Sequence, residues 1–219
     1  MADITECGVV TVIRLKKCGS SQIRKAFAEK TWQHRQFGDS TPRYVTAFRN
    51  PAHRLVSCWN HLIRGRVELP PDYYDPVAAK KKFGPHLDFP EWCEWVIDTN
   101  HEDINMHMRM QTYELADHLR DTDGLIWIGQ LERMQELAKN ELTEWLKWSV
   151  AMPNKQRHPY KLGTWPNYYP PGLLRKVHRR FATDYKLWMN IYGNGCEVFH
   201  TGRLSETLDL TNGRHSCMM

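Results

Sequence analysis

The chain has 219 residues, with 30 Lys and Arg against 25 Asp and Glu, a formal net charge of +5 and 41% apolar residues. That length is enough to bury a core, and basic residues this evenly interspersed with acids do not make the clustered stripe of a nucleic-acid-binding module. No stretch approaches the roughly 18 apolar residues of a membrane span.

The six cysteines show no Cys-x-x-Cys spacing. There is also no His-Glu-x-x-His, no Cys/His quartet and no Asp-rich calcium loop, so neither a disulfide framework nor a metal-dependent hydrolase is expected. The first strand pattern starts within ten residues of Met1, leaving no room for a signal peptide or anchor. The expectation is a soluble, cytoplasmic protein with reduced thiols.

In chain order, the apolar run from Val9 to Leu15 reads as a strand. It leads into Lys17-Cys18-Gly19-Ser20-Ser21 and a helical pattern from near Gln22. A strand, a tight Gly/Ser turn and a helix N-terminus aim several backbone N–H groups and the positive end of a helix dipole at one point. That arrangement suits a phosphate or sulfate group. Tyr44 to Phe48 reads as a second strand, running into Arg49-Asn50-Pro51 and a helix that Asn50 caps and Pro51 opens. Leu55, Val56, Trp59, Leu62 and Ile63 make one apolar face, with Arg54, Ser57 and His61 on a different one.

Residues 66 to 88 read as an irregular excursion over the substrate, whose Lys80-Lys81-Lys82 run is either a solvated face or a patch that steers an acidic acceptor. Helices are expected over Phe89 to Thr99 and Gln130 to Val150, the second carrying Leu131, Met134, Ala138, Leu142, Trp145 and Leu146 in one stripe. Met152 to Gly172 offers no regular element, and residues 201 to 219 lack periodicity, as an edge strand or a disordered tail would.

The two anion motifs resemble those of the sulfotransferases that use 3′-phosphoadenosine 5′-phosphosulfate (PAPS), in particular the carbohydrate branch. In that family Lys-x-Gly-x-Ser/Thr holds the 5′-phosphosulfate, and Lys17 to Ser21 fits it without a gap. Arg-x-Pro-x-x-Arg-Leu-Val-Ser holds the 3′-phosphate, and Arg49 to Ser57 matches every fixed position. Ile104 to Gln111, Leu125 to Glu132 and Phe181 to Trp188 are similar to further family stretches. The usual Pro before the loop lysine is absent, and Ser21 stands where Thr is commoner.

The resemblance implies an α/β fold with a P-loop-type parallel sheet flanked by helices. It would form a single domain over residues 1–200, followed by the tail. It implies donor contacts from Lys17, Cys18, Gly19, Ser20, Ser21, Gln22, Arg49, Ser57 and Lys161, the last in a loop closing over the adenosine. Sulfuryl transfer is dominated by positioning and electrostatics, with Lys17 neutralising the departing phosphate. The acceptor is a hydroxyl or amine, expected on a carbohydrate. For its proton the family uses a Glu or His, and His34 is the first choice because free imidazole titrates near neutrality. Glu29, Asp39, His61 and His107 are the other candidates. The rival readings are a P-loop kinase or other NTPase, which lacks its Gly-x-x-x-x-Gly-Lys-Ser/Thr here, and a basic nucleic-acid-binding module.

Overall fold

The computed structural model describes residues 5–6, 10–28, 41–62, 88–120, 122–147, 149–150, 152 and 162–207. The strands are β1 (Thr5–Glu6), β2 (Val10–Val12), β3 (Arg43–Phe48), β4 (Leu125–Gln130) and β5 (Cys196–His200). The α-helices are α1 (Ser20–Ala28), α2 (Pro51–Leu62), α3 (Phe89–Asp98), α4 (Gln111–Leu119), α5 (Met134–Leu137), α6 (Thr143–Leu146), α7 (Leu173–Arg180), α8 (Ala182–Tyr192) and α9 (Thr201–Thr207). The described residues fall into two compact units. The first lies within Met1–Arg49, Gln111–Lys155 and Lys186–Met219, and the second within Asn50–Met110 and Gln156–Tyr185.

The first unit is α/β. Its sheet has five strands in chain order, β1-β2-β3-β4-β5, with β2, β3 and β4 parallel and the two outer strands antiparallel to their neighbours. Parallel strands covered on both faces carry unbroken apolar runs rather than an in-out alternation. Val45 to Phe48 and Ile126 to Gln130 come close to this, every residue being buried and only Thr46 and Gln130 polar. The edge strand β5 is only partly covered.

On one sheet face Val10, Val12, Val45, Ala47 and Trp127 pack against Ile23, Ala26 and Phe27 of α1. The same cluster takes in Met134, Leu137, Ala138, Leu142 and Leu146 from the helical run after β4. The Trp127 ring fits because Gly129 has no side chain; a Cβ there would collide with the indole.

Two expectations for this unit are corrected. The segment after Gln130 is not one helix. It passes through a 3-10 turn (Leu131–Arg133), α5, a π turn (Ala138–Leu142) and α6. The Thr143 hydroxyl donates to the Ala138 carbonyl at 2.7 Å and accepts the Val150 N–H at 3.0 Å. An inserted side-chain hydroxyl of this kind is one of the causes that widen a helical ladder. The run ends at Lys147, whose φ of 58° breaks the helix. Residues 201–207 of the tail form α9 rather than a strand or coil. Thr201 anchors it, its N–H bonded to the Gly124 carbonyl at 3.0 Å and its hydroxyl to the Thr122 carbonyl at 2.9 Å. The rest of the tail lies outside the described residues.

The second unit, among its described residues, is helical. Asn50 caps α2 as expected, its side chain accepting the His53 N–H at 3.2 Å. Leu55, Val56 and Leu62 are buried against Trp92, Cys93 and Val96 of α3 and Val177 of α7. Arg54, however, is not on a solvated face: it is 1% exposed. Its guanidinium donates to the Arg109 carbonyl.

Part of the stretch from Met152 to Gly172, read as irregular, is a 3-10 helix (Leu162–Tyr168). Its Tyr168 packs edge-on to Trp59 and Phe89, and Trp165 stacks on His53. The excursion of residues 66–87, Lys80 to Lys82 included, lies outside the described residues.

His101 in this unit accepts the Met110 N–H at Nε2, 3.1 Å away, which requires a neutral ring. Burial, with the charges of Arg180, Arg109 and Arg54 added, lowers its pKa from 6.5 to about 4. The unfolded chain therefore binds this proton more readily than the fold does. The stability tied to it is complete above pH 6.5 and is lost as pH falls toward 4. Urea unfolding at pH 7 and pH 4.5 should show the wild type losing about 2 kcal/mol more than His101→Gln, which keeps an acceptor but cannot titrate.

Candidate functional site

The carboxyl ends of parallel strands are where open α/β sheets bind ligands, because the loops that leave them converge there. In the first unit the segments leaving β2, β3 and β4 at that edge are residues 13–19, Arg49 and residues 131–132. The loop after β2 is held open by two left-handed residues, Lys17 at φ 63° and Gly19 at φ 72°. A left-handed lysine costs on the order of 1 kcal/mol, so the surrounding contacts must hold it.

Gly19 closes the loop as the first half-turn of α1, its carbonyl accepting the Ile23 N–H at 3.1 Å and the Gln22 N–H at 2.9 Å. The helix thus starts at Ser20, two residues ahead of the sequence expectation. The Ser20 and Ser21 amides precede these first bonds, and the positive end of the helix dipole lies at the loop. A Cβ at Gly19 would strike the Leu131 side chain, so the 3-10 turn after β4 sets how closely the loop packs.

Arg49 joins this loop directly. It is 8% exposed, its Nη1 donates to the Lys17 carbonyl at 3.3 Å, and its Nε lies 3.6 Å from Glu132 Oε1. Its backbone is held by Gln111, the first residue of α4, which is fully buried. Gln111 Oε1 accepts the Arg49 N–H at 3.0 Å and the Cys18 thiol at 2.7 Å, and Gln111 Nε2 donates to the Arg49 carbonyl at 2.8 Å. Glu114, one turn further along α4, accepts the Lys16 N–H at 3.2 Å. One helix therefore fixes both the loop after β2 and the end of β3. The result is a cationic cradle with a helix N-terminus at its edge, suited to an anion bearing several oxygens.

Of the residues singled out from sequence, Lys17, Cys18, Gly19, Ser20, Ser21, Gln22 and Arg49 come together in this unit. Cys18 is buried with its thiol turned to Gln111. Ser57 is half-buried on α2 and belongs to the second unit. His61 and His107 meet in that unit with ring centroids 6.3 Å apart. His107 Nδ1 is 2.7 Å from Asn105 Oδ1, which orients the ring. Glu29, His34, Asp39 and Lys161 lie outside the described residues.

Sequence reasoning assigned no role to Gln111, Glu114 or Glu132. The first and last stand in motif stretches already noted, but 62 residues separate Gln111 from the backbone it holds. Cys18, Cys58, Cys93 and Cys196 are free thiols. Among the described residues no helix is long and apolar enough to cross a membrane, and no cluster of His, Cys, Asp or Glu could hold a metal ion. Compared with known proteins, the chain matches no family model, no curated protein and no solved structure.

Two substitutions test the cradle's construction. Gln111→Ala would leave the Arg49 N–H, its carbonyl and the Cys18 thiol without their buried partner, and should cost about 3 kcal/mol in urea unfolding. Gly19→Ala adds a Cβ at a left-handed position against Leu131, and should lower the melting temperature by about 2–4 °C, as a loss of about 1 kcal/mol does in a chain of this size.

Proposed function

We propose that this chain is a sulfotransferase that moves a sulfuryl group from PAPS to a hydroxyl or amine of an acceptor, with a carbohydrate as the acceptor class. The observation that carries the reading is the Arg49 guanidinium bonded to the Lys17 carbonyl. It joins the two motifs that resemble the family's donor-binding elements at the carboxyl edge of the parallel strands of one sheet. A P-loop-like, sulfotransferase-type form of the α/β fold belongs to the same proposal.

The donor is a substrate with two anionic ends, and the residues present suit it. The loop from Lys17 to Ser21, ending at α1, would take the 5′-phosphosulfate. The amides of Gly19, Ser20 and Ser21 would bind its oxygens, and the Lys17 ammonium would neutralise the phosphate as charge builds there. Arg49 would take the 3′-phosphate; the motif adds Ser57 to that role by sequence alone. Gln111 and Glu132 hold Arg49 in place rather than touching the donor.

In the transfer an acceptor oxygen or nitrogen forms a bond to sulfur while the bond from sulfur to the phosphate oxygen breaks, its electron pair leaving with that phosphate. The acceptor's proton passes to a base. His34 keeps that role in the proposal, with Glu29, Asp39, His61 and His107 as the other candidates, by sequence alone. Removing one charge that acts on the departing phosphate is typically worth about 3 kcal/mol of barrier.

Titration calorimetry with 3′-phosphoadenosine 5′-phosphate, ATP with magnesium, and AMP decides the matter. The bisphosphate alone should bind in the micromolar range. Lys17→Met and Arg49→Lys should each weaken it about tenfold or more, the second because a lysine keeps the charge but loses the fork. Lys17→Met removes a partly exposed side chain and so reports on binding without disturbing the core. Binding of ATP in preference, or of no nucleotide, overturns the sulfotransferase reading.

A further inference from the structure

We propose that the outer face of α7 in the second unit is a binding groove for an acidic oligosaccharide, one that carries sulfate or carboxylate groups. The helix separates its residues sharply. Leu173 and Val177 are buried, while Arg175, Lys176, His178 and Arg179 face outward. Together with Pro170, Pro171, Gly172 and Glu94 of α3 these four line a concave groove of about 690 Å³. That volume is within the range of small-ligand sites.

The charges in the groove are unequally engaged. Lys176 is paired with Glu94 at 2.5 Å. Arg180, next along the helix, turns away to donate to the Thr99 carbonyl at 2.7 Å. The His178 ring packs on Tyr185 with centroids 4.1 Å apart, and burial lowers its pKa, so it stays neutral at pH 7. From the neighbouring α3, Asp98 also acts on Lys176.

Among the described residues, Arg175 and Arg179 have no carboxylate partner. They lie four residues apart, one turn along the same face, about 6 Å in rise. Two guanidinium forks at that interval suit planar or tetrahedral oxyanions carried on one short chain.

The groove's other features select among polyanions. No large apolar side chain is exposed on α7; those exposed among the described residues are Met106, Tyr113, Met189, Tyr192 and Val198. A membrane-surface helix needs such residues beside its cations. Among the described residues the lining also offers no Trp, Tyr or Phe on which unpaired bases could stack. Three cations against one acid are fewer than the several phosphate contacts of a duplex binder. What remains is a short acidic glycan seated between the arginines and the Pro170-Pro171 rim. This inference does not depend on the sulfotransferase reading and uses none of the donor-loop residues.

Binding of a sulfated hexasaccharide, an unsulfated uronic-acid hexasaccharide, a short DNA duplex and phosphatidylserine vesicles to the full chain, with no nucleotide present, provides the test. One or both hexasaccharides should bind saturably. Arg175→Ala/Arg179→Ala should weaken this about tenfold or more, and Arg175→Lys/Arg179→Lys should recover only part of it. Arg120→Ala/Lys139→Ala, which removes the same charge from exposed positions of the first unit, should bind as the wild type does. The affected side chains are exposed, so an unchanged melting temperature is expected throughout. No hexasaccharide binding, equal weakening in the control, or preference for DNA or vesicles overturns the proposal. Bisphosphate binding in the arginine double variant stays normal whichever way the glycan result falls.

Discussion

The cradle depends on one buried amide. Gln111 places its oxygen where the Arg49 N–H and the Cys18 thiol both reach it, and its nitrogen against the Arg49 carbonyl. A strand end buried in a sheet leaves backbone groups that must be paired, and a side chain from another element that pairs them also fixes the two pieces of chain against each other. Without this bridge, the left-handed Lys17 would relax and the Arg49 guanidinium would lose its bearing on the loop. The geometry of the cradle is therefore set by a neutral residue.

Electrostatics then tunes what the bridge has positioned. Arg49 is nearly buried, which would be costly for an uncompensated charge, and Glu132 at 3.6 Å together with the Lys17 carbonyl supplies the compensation. An arginine already hydrogen-bonded on one edge is pre-oriented, with less side-chain freedom left to lose on binding. Glu132 lies in the 3-10 turn immediately after β4, so the turn that packs Leu131 against Gly19 also delivers the carboxylate.

The second unit solves a different problem. Its core takes in a whole arginine side chain, Arg54, and holds His101 neutral among three arginines. Such a polar interior is tolerated because its donors reach backbone carbonyls of the 99–109 turns, as Arg54 does to Arg109, Arg109 to Ile104 and Glu102, and Arg180 to Thr99. Around it the aromatic side chains of Trp59, Phe89, Tyr168 and Tyr169 meet edge to face and close the apolar side.

Much of this was determined by sequence alone. The largely apolar stretch from Tyr44 to Phe48 reads as a strand and is one. Asn50-Pro51 could only open a helix, and Gly19 between a strand and a helical pattern marked the tight turn. All of these are local matters of propensity, capping and backbone freedom. Tertiary structure decided the rest. Arg54 shares a helical position with polar neighbours and is buried only because the 99–109 turns bring carbonyls to it. The Gln130 to Val150 stripe has a helical period throughout, and the π turn arises from where the Thr143 hydroxyl bonds. Thr201 starts a helix because the Thr122 and Gly124 carbonyls lie in reach. Gln111 gains its role from two segments far away in the chain. Periodicity records which face of an element is apolar, but the partner of a buried polar atom is fixed only when distant segments meet.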